Sequence, residues 1–339
     1  MSILLLILVV RPVPEYADFA QKTSNFFGVN RSRSRPYNQK KIVACVMQRC
    51  RIKPLNPLEE TIDAPSLWRY TPYHLAPAAR GSGMSETTVT IEVSNGVALV
   101  TLNAPPVNAL NRNMRRRIVA LFDEISERED IRCAVLTGQG KIFCAGADLK
   151  DRPDADVAGD FLEHNRITRE TGNAIRECAK PVIAAVNGAA LGAGFGLMAA
   201  CDIMYASDNA TFGMPEINVG LAGGASMLRT LLGRSTARRM FFTGQRLSAH
   251  DLLRRNVLED VLPPEQLLPT AMALAHEIAS KAPLAVVYAK RAANMVDLMP
   301  QRDAYRFEQD FTMALAKTED AREARTAFLE KRQPEFKGR

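Results

Sequence analysis

The chain has 339 residues, 47% of them hydrophobic and 24% charged, with a formal net charge of +7. That balance fits an ordinary soluble globular protein and excludes a collagen-like, wholly disordered or polytopic membrane chain. The charge is confined to the start: residues 1–83 hold 12 basic and 5 acidic side chains, whereas residues 84–339 hold 32 of each. A balanced body offers no groove for tracking phosphates, so nucleic acid is not an expected partner.

Residues 1–83 also carry 8 of the 19 prolines and the run Arg31-Ser32-Arg33-Ser34-Arg35-Pro36, with no helical or strand periodicity. The apolar stretch of residues 3–10 is too short to span a bilayer, so no membrane anchor is expected. It also lacks the basic flank and small-residue cleavage site of a secretory signal. The segment reads as a basic, disordered leader or as an over-extended gene start, with translation beginning at Met84 after Gly81-Ser82-Gly83. Its Arg and Ser content also admits a transit peptide, against which Glu15 and Asp18 count. Cys45, Cys50, Cys133, Cys144, Cys178 and Cys201 form no Cys-x-x-Cys pair and have no His at ligand spacing. Free thiols in a reducing cytoplasm are therefore expected, rather than disulfides or a zinc site.

From Met84 onward the elements become legible. Residues 88–93 and Val97–Leu102 are β-rich, and Ser94-Asn95-Gly96 between them has the Asn-Gly step of a tight hairpin. Residues 111–128 form an amphipathic helix with Met114, Ile118, Leu121, Phe122 and Ile125 on one face. Residues 131–137 and Val182–Val186 are continuous apolar runs of strand length separated by helical sequence. They predict β-α-β crossovers with strands buried on both sides. From about Leu247 the pattern is almost entirely helical, with Pro283 and Pro300 at first-turn positions. The organisation is an α/β core over residues 84–250 and a helical region over residues 251–339.

Three segments rich in small residues each follow a buried strand. They are Gly138 to Leu149, containing Cys144-Ala145-Gly146-Ala147-Asp148; Asn187 to Leu197, containing Leu191-Gly192-Ala193-Gly194; and Phe212-Gly213-Met214-Pro215-Glu216. Small residues at a strand-to-helix turn let main-chain N–H groups face a ligand without obstruction. Familiar motifs fail here. Gly192-x-Gly194 has the wrong spacing for a dinucleotide fingerprint, and no Gly-Lys-Ser/Thr exists for a P-loop. Neither Ser226 nor Ser235 sits in a Gly-x-Ser-x-Gly elbow.

The three segments in this order, with Asn108-Ala109-Leu110-Asn111 before them and Phe328-Leu329-Glu330-Lys331-Arg332 near the end, resemble the enoyl-CoA hydratase/isomerase (crotonase) family. The resemblance covers essentially residues 86–339 and leaves the leader without a counterpart. It implies a crotonase-like α/β fold, with twisted β-sheets packed among helices and a C-terminal helical region that builds a trimer or a dimer of trimers. It implies an acyl-CoA substrate, with coenzyme A arriving as part of it and no separate cofactor. By position, the N–H groups of Ala147 and Ala193 would bind the thioester oxygen and Glu216 would move the proton. Ala193 replaces a more usual glycine, which matters little for a main-chain donor.

The same resemblance places Ala109, Leu110, Ala145, Gly146, Asp148 and Leu149 along the coenzyme A channel, with Lys141 and Lys150 as phosphate partners. Gly192, Gly194, Pro215, Val219 and Gly220 would frame the acyl site, and Lys331 would reach a neighbouring subunit's coenzyme A. Two departures matter. The second glutamate of the two-glutamate hydratases falls on Gly196, and the segment from Gly220 to Gly223-Gly224 is about three residues shorter than usual. His164, Glu163 and Asn218 are candidates for holding water instead. Hydration of a 2-enoyl-CoA is the leading reading; double-bond isomerisation and acyl-CoA binding without turnover are the alternatives.

Overall fold

The computed structural model describes residues 88–339, so the leader, Met84, Cys45 and Cys50 lie outside the described residues. Strands β1 (Val89–Ser94) and β2 (Val97–Leu102) form the antiparallel hairpin. Asn95 and Gly96 take φ values of 50° and 80°, the left-handed pair required by a two-residue type I′ turn. Helix α1 (Arg112–Glu127) buries the five apolar residues that its periodicity marks out. It starts where Asn111 accepts a hydrogen bond from Met114 N at 2.8 Å, an N-cap that the sequence reading placed inside the helix.

Strand β3 (Cys133–Gly138) lies parallel to β2. Helix α2 (Asp160–Glu177) crosses over to β4 (Val182–Val186), again parallel. The short β5 (Ala190–Leu191) runs directly into α3 (Ala193–Ala199), followed by β6 (Ile203–Ser207) and β7 (Thr211–Gly213). Then come α4 (Ala225–Leu231), α5 (Arg234–Thr243), β8 (Leu247–Ser248), α6 (Ala249–Leu253) and β9 (Asp260–Leu262). Helices α7 (Pro264–Ala279), α8 (Pro283–Val296), α9 (Gln301–Leu315) and α10 (Glu319–Glu330) complete the chain.

The large sheet has the order β1-β2-β3-β4-β6-β9, and the small one β5-β7-β8. Every residue of β3 and β4 is buried, as strands covered on both faces require. Ala134 and Leu136 face the layer that holds α1; Cys133 and Val135 face α7. On α7, Leu267, Ala271, Ala275 and Ala279 recur every fourth residue, so mostly methyl groups let that helix lie close to the sheet. Cys133, Cys144, Cys178 and Cys201 are buried free thiols. Among the described residues, no helix is long and apolar enough to cross a membrane.

The sequence beyond Leu247 is less uniformly helical than its pattern suggests. Strands β8 and β9 interrupt it, each too short to show a period of two. They exist through pairing with β7 and β6 rather than through local propensity. Pro283 does open α8, whereas Pro300 sits one residue before α9 as its N-cap. Asn256, just past α6, takes the left-handed conformation (φ 56°), which asparagine tolerates best after glycine.

One buried cation ties the C-terminal helices to the sheet. Lys290 Nζ on α8 lies 2.9 Å from Asp202 Oδ2 and donates to the carbonyl oxygens of Lys180 and Ile175 at 3.0 and 3.3 Å. Asp202 Oδ2 also accepts from Val182 N at 2.7 Å, where β4 begins. The lysine end of the pair is buried and the carboxylate end is partly exposed, so removing the carboxylate is what strands a charge. Asp202→Ala is therefore expected to cost about 2 kcal/mol of stability, read as a lower denaturant midpoint at unchanged m-value.

Candidate active site

Three backbone pairings assemble the small-residue segments. Leu110 bridges Ala147 in parallel: Leu110 N donates to Gly146 O at 2.8 Å, and Asp148 N donates to Leu110 O at 3.0 Å. Successive N–H groups of an extended chain point to opposite sides. The Ala147 N–H is thereby turned away from Leu110, and it donates to no acceptor among the described residues.

Cys144 bridges Ala190 in the same sense, through Cys144 N to Ala189 O (3.0 Å) and Leu191 N to Cys144 O (2.9 Å). Counting three residues on from each partner gives Ala147 and Ala193. A Cβ built on Gly146 would lie 3.6 Å from Ala193 N, so the two segments are in contact there. Ala193 is the first residue of α3, whose N-cap Gly192 offers no side-chain cap. Its N–H likewise has no acceptor among the described residues.

The third pairing brings the carboxylate. Ala190 pairs with Phe212 and Leu191 with Gly213, and Gly192 N donates to Gly213 O at 2.8 Å. Pro215 then opens a 3₁₀ turn over Pro215–Val219, ended by Gly220 in the left-handed conformation (φ 74°). Glu216 thus reaches back over Gly192, where an added methyl group would collide with its Oε1. Gly192 also has φ 53°, a conformation that L side chains rarely adopt, so the backbone favours glycine there and a side chain would push Glu216 aside. Glu216 Oε2 is buried with no hydrogen-bond partner. Burial pushes the Glu216 carboxyl above the usual carboxylate range.

Asn108 holds the first segment in shape. It is buried in the left-handed conformation (φ 52°). Its Nδ2 donates to the carbonyl oxygens of Ile142 (2.7 Å), Gln139 (3.1 Å) and Phe143 (3.2 Å), and its Oδ1 accepts from Ala104 N at 2.9 Å. The asparagine of the Asn108-Ala109-Leu110-Asn111 motif is therefore a clamp on the loop before Ala147. Gly194 packs so tightly on Cys144 O that no side chain fits.

The remaining candidates are placed as follows. Ala109 and Ala145 are half-buried, the latter donating its N–H to Val107 O at 3.0 Å. Asp148 Oδ1 accepts from Lys150 N at 2.9 Å, and Leu149 and Val219 are exposed. The side chains of Lys141, Lys150 and Lys331 lie at the surface. Of the water-holding candidates, Glu163 pairs with Arg116 and Arg112, and Asn218 packs against Gly244. Only His164 keeps a buried nitrogen, Nδ1, without a partner.

Three residues beyond the sequence reading enter the site. A cavity of about 30 Å³ lies against Ala193 and Gly196 and is also lined by Leu110, Arg115, Thr168 and Met227. Met227 stands against Gly196, the position to which the resemblance assigns a second glutamate: its Sδ would be 2.6 Å from a Cβ there. Arg115 is 2% exposed. It stands three and seven residues before Ile118 and Phe122, hence on the apolar face of α1. A charged residue on that stripe was the signal that could have found it.

Comparisons with known proteins bear on the family and the fold. A family model described as enoyl-CoA hydratase/isomerase matches residues 92–339. The chain is 36% identical over 262 residues to a short-chain-enoyl-CoA hydratase of Clostridium acetobutylicum, covering 76% of this chain and 100% of the relative. It is 36% identical over 247 residues to a 2,3-dehydroadipyl-CoA hydratase of Escherichia coli, covering 72% and 96%. A crystal structure of an enoyl-CoA hydratase from Bacillus anthracis superposes with a TM-score of 0.70 at 32% identity, covering 74% and 100%.

The Glu216 environment sets a sign. With its pKa raised in the folded chain, folding favours the neutral acid. That contribution is complete below the unfolded value of about 4.3 and is lost as pH rises through the raised folded value. Glu216→Gln cannot ionise. Thermal unfolding across pH is expected to find it more stable than wild type at neutral pH, the gap narrowing as pH falls towards about 4. A gap independent of pH would contradict the raised value.

Proposed function

This chain belongs to the enoyl-CoA hydratase/isomerase family of enzymes, and on that basis we propose that it adds water reversibly to a 2-enoyl-CoA. The observation that supports the reading is that two main-chain N–H groups without an acceptor among the described residues, Ala147 and Ala193, belong to segments in contact, with the Glu216 carboxyl against Gly192 and its Oε2 buried. The thioester carbonyl oxygen accepts from both amides. As water adds to Cβ, the electron pair of the double bond moves through Cα onto that oxygen, and the amides stabilise the resulting enolate. Glu216 takes the proton from the attacking water and returns it to Cα, a role suited to a carboxyl whose pKa is raised towards neutrality. The names of the hydratase relatives support this direction.

One observation favours a second reading. Met227 against Gly196 leaves a thioether where a second carboxylate would hold water. A single carboxyl group suffices to take a proton from Cα of a 3-enoyl-CoA and return it at Cγ, which is isomerisation at the same site. Exposed apolar side chains on the C-terminal helices, among them Tyr305, Met313 and Phe328, support a trimer built through that region.

Parallel assays of 2-enoyl-CoA hydration and 3-enoyl-CoA isomerisation separate the two readings. Glu216→Gln is expected to lower kcat of the true reaction by about 10²- to 10⁴-fold; a variant with full activity removes Glu216 from the mechanism. Ala193→Pro deletes one amide donor at the first position of α3, where proline is tolerated. It is expected to lose about 10²- to 10³-fold in kcat with its melting temperature nearly kept.

A further inference from the structure

Arg115 is a buried cation with no carboxylate in contact; the Asp151 charge acts on it only from beyond ion-pair distance. It forms none of the ion pairs among the described residues, and its Nε is buried without a hydrogen-bond partner. Its side chain instead lines the cavity against Ala193 and Gly196. Burial lowers its pKa, but a guanidinium starts so high that it keeps its proton in a folded protein.

A second orphan faces the same space. Thr168 lines the cavity, and its buried Oγ1 has no partner. One helical turn earlier on α2, His164 has its unpartnered Nδ1; burial, then the Arg115 and Arg112 charges, hold its pKa below the usual imidazole range. The rest of the lining is apolar, featureless or already satisfied: Leu110, Leu197, Gly172, the Met227 thioether, and Thr171, whose hydroxyl donates to Ile167 O at 2.6 Å. Natural interiors pair their buried polar groups, so this cluster of unpaired donors marks a place for a ligand group that accepts hydrogen bonds.

We propose that the acyl group held at Ala147 and Ala193 ends in a carboxylate, and that Arg115, assisted by Thr168, binds it. The substrate class is then the coenzyme A monothioester of an unsaturated dicarboxylic acid. This inference rests on the acyl-CoA reading of the site and specifies its acyl portion. A guanidinium presents paired donors in a plane that a carboxylate matches with two parallel hydrogen bonds. The cavity of about 30 Å³ exceeds what one water needs and suits a small polar group. Met227, unbranched and polarizable, is the wall able to shift for the chain leading to it.

Saturated thioesters, which cannot be hydrated, test binding apart from turnover. Calorimetric titration of the full chain compares succinyl-, glutaryl- and adipyl-CoA with butyryl-, valeryl- and hexanoyl-CoA, matched pairwise in carbon number. At least one dicarboxylic member is expected to bind about tenfold to a hundredfold tighter than its uncharged match, and Arg115→Met is expected to erase that ratio. Equal or weaker binding of all three dicarboxylic thioesters overturns the proposal, as does an unchanged ratio in Arg115→Met. If none of the six binds, the acyl-CoA reading itself fails and this one with it. Should Arg115→Met not fold, the wild-type ratio alone decides.

Discussion

Everything at the candidate site depends on register in three very short backbone pairings. Leu110 with Ala147, Cys144 with Ala190, and Ala190 with Phe212 are each one or two residues long. Together they fix which N–H groups stay unpaired. A slip of one residue in any of them would turn an inward amide outward, because main-chain direction alternates along an extended segment. The glycines serve this arrangement. Gly146 and Gly194 let the backbones approach more closely than side chains permit, Gly192 leaves room for the Glu216 carboxyl, and the Asn108 clamp holds the loop before Ala147.

The two buried charged groups near Ala193 differ in kind. Glu216 can answer burial by holding its proton, and its raised pKa expresses that. Arg115 has no such escape, so the fold must either leave it unpaired or receive its partner from outside. On the proposed reading, Arg115 would be completed by the acyl group, whereas the Ala147 and Ala193 amides stand free of protein acceptors before any ligand arrives. Such a division would leave the amides common to many substrates and the Arg115 wall to select among them.

Much of the fold was legible because its signals are local. Asn95-Gly96 demands a tight turn, the α1 apolar stripe recurs at helical spacing, and the β3 and β4 runs are apolar throughout. Strands β5, β8 and β9 were not legible, since two or three residues carry no period and exist only through their neighbours. The site divides the same way. The Ala147, Ala193 and Glu216 segments could be read from their flanking small residues. The Met227 contact with Gly196 joins residues far apart in sequence that share no motif, and only packing discloses it. Arg115 lay between these cases, visible as an oddity on an apolar face but mute about what it awaits.

The contact between Met227 and Gly196 also constrains how this lineage could acquire the two-carboxylate arrangement. A glutamate introduced at position 196 would set its first side-chain atom against the Met227 thioether, which must swing aside to admit it. The two side chains thus compete for one space, and shortening residue 227 removes the competition at the modest expense of a lost contact. What helix α3 can carry is in this way tied to the size of a single residue on helix α4.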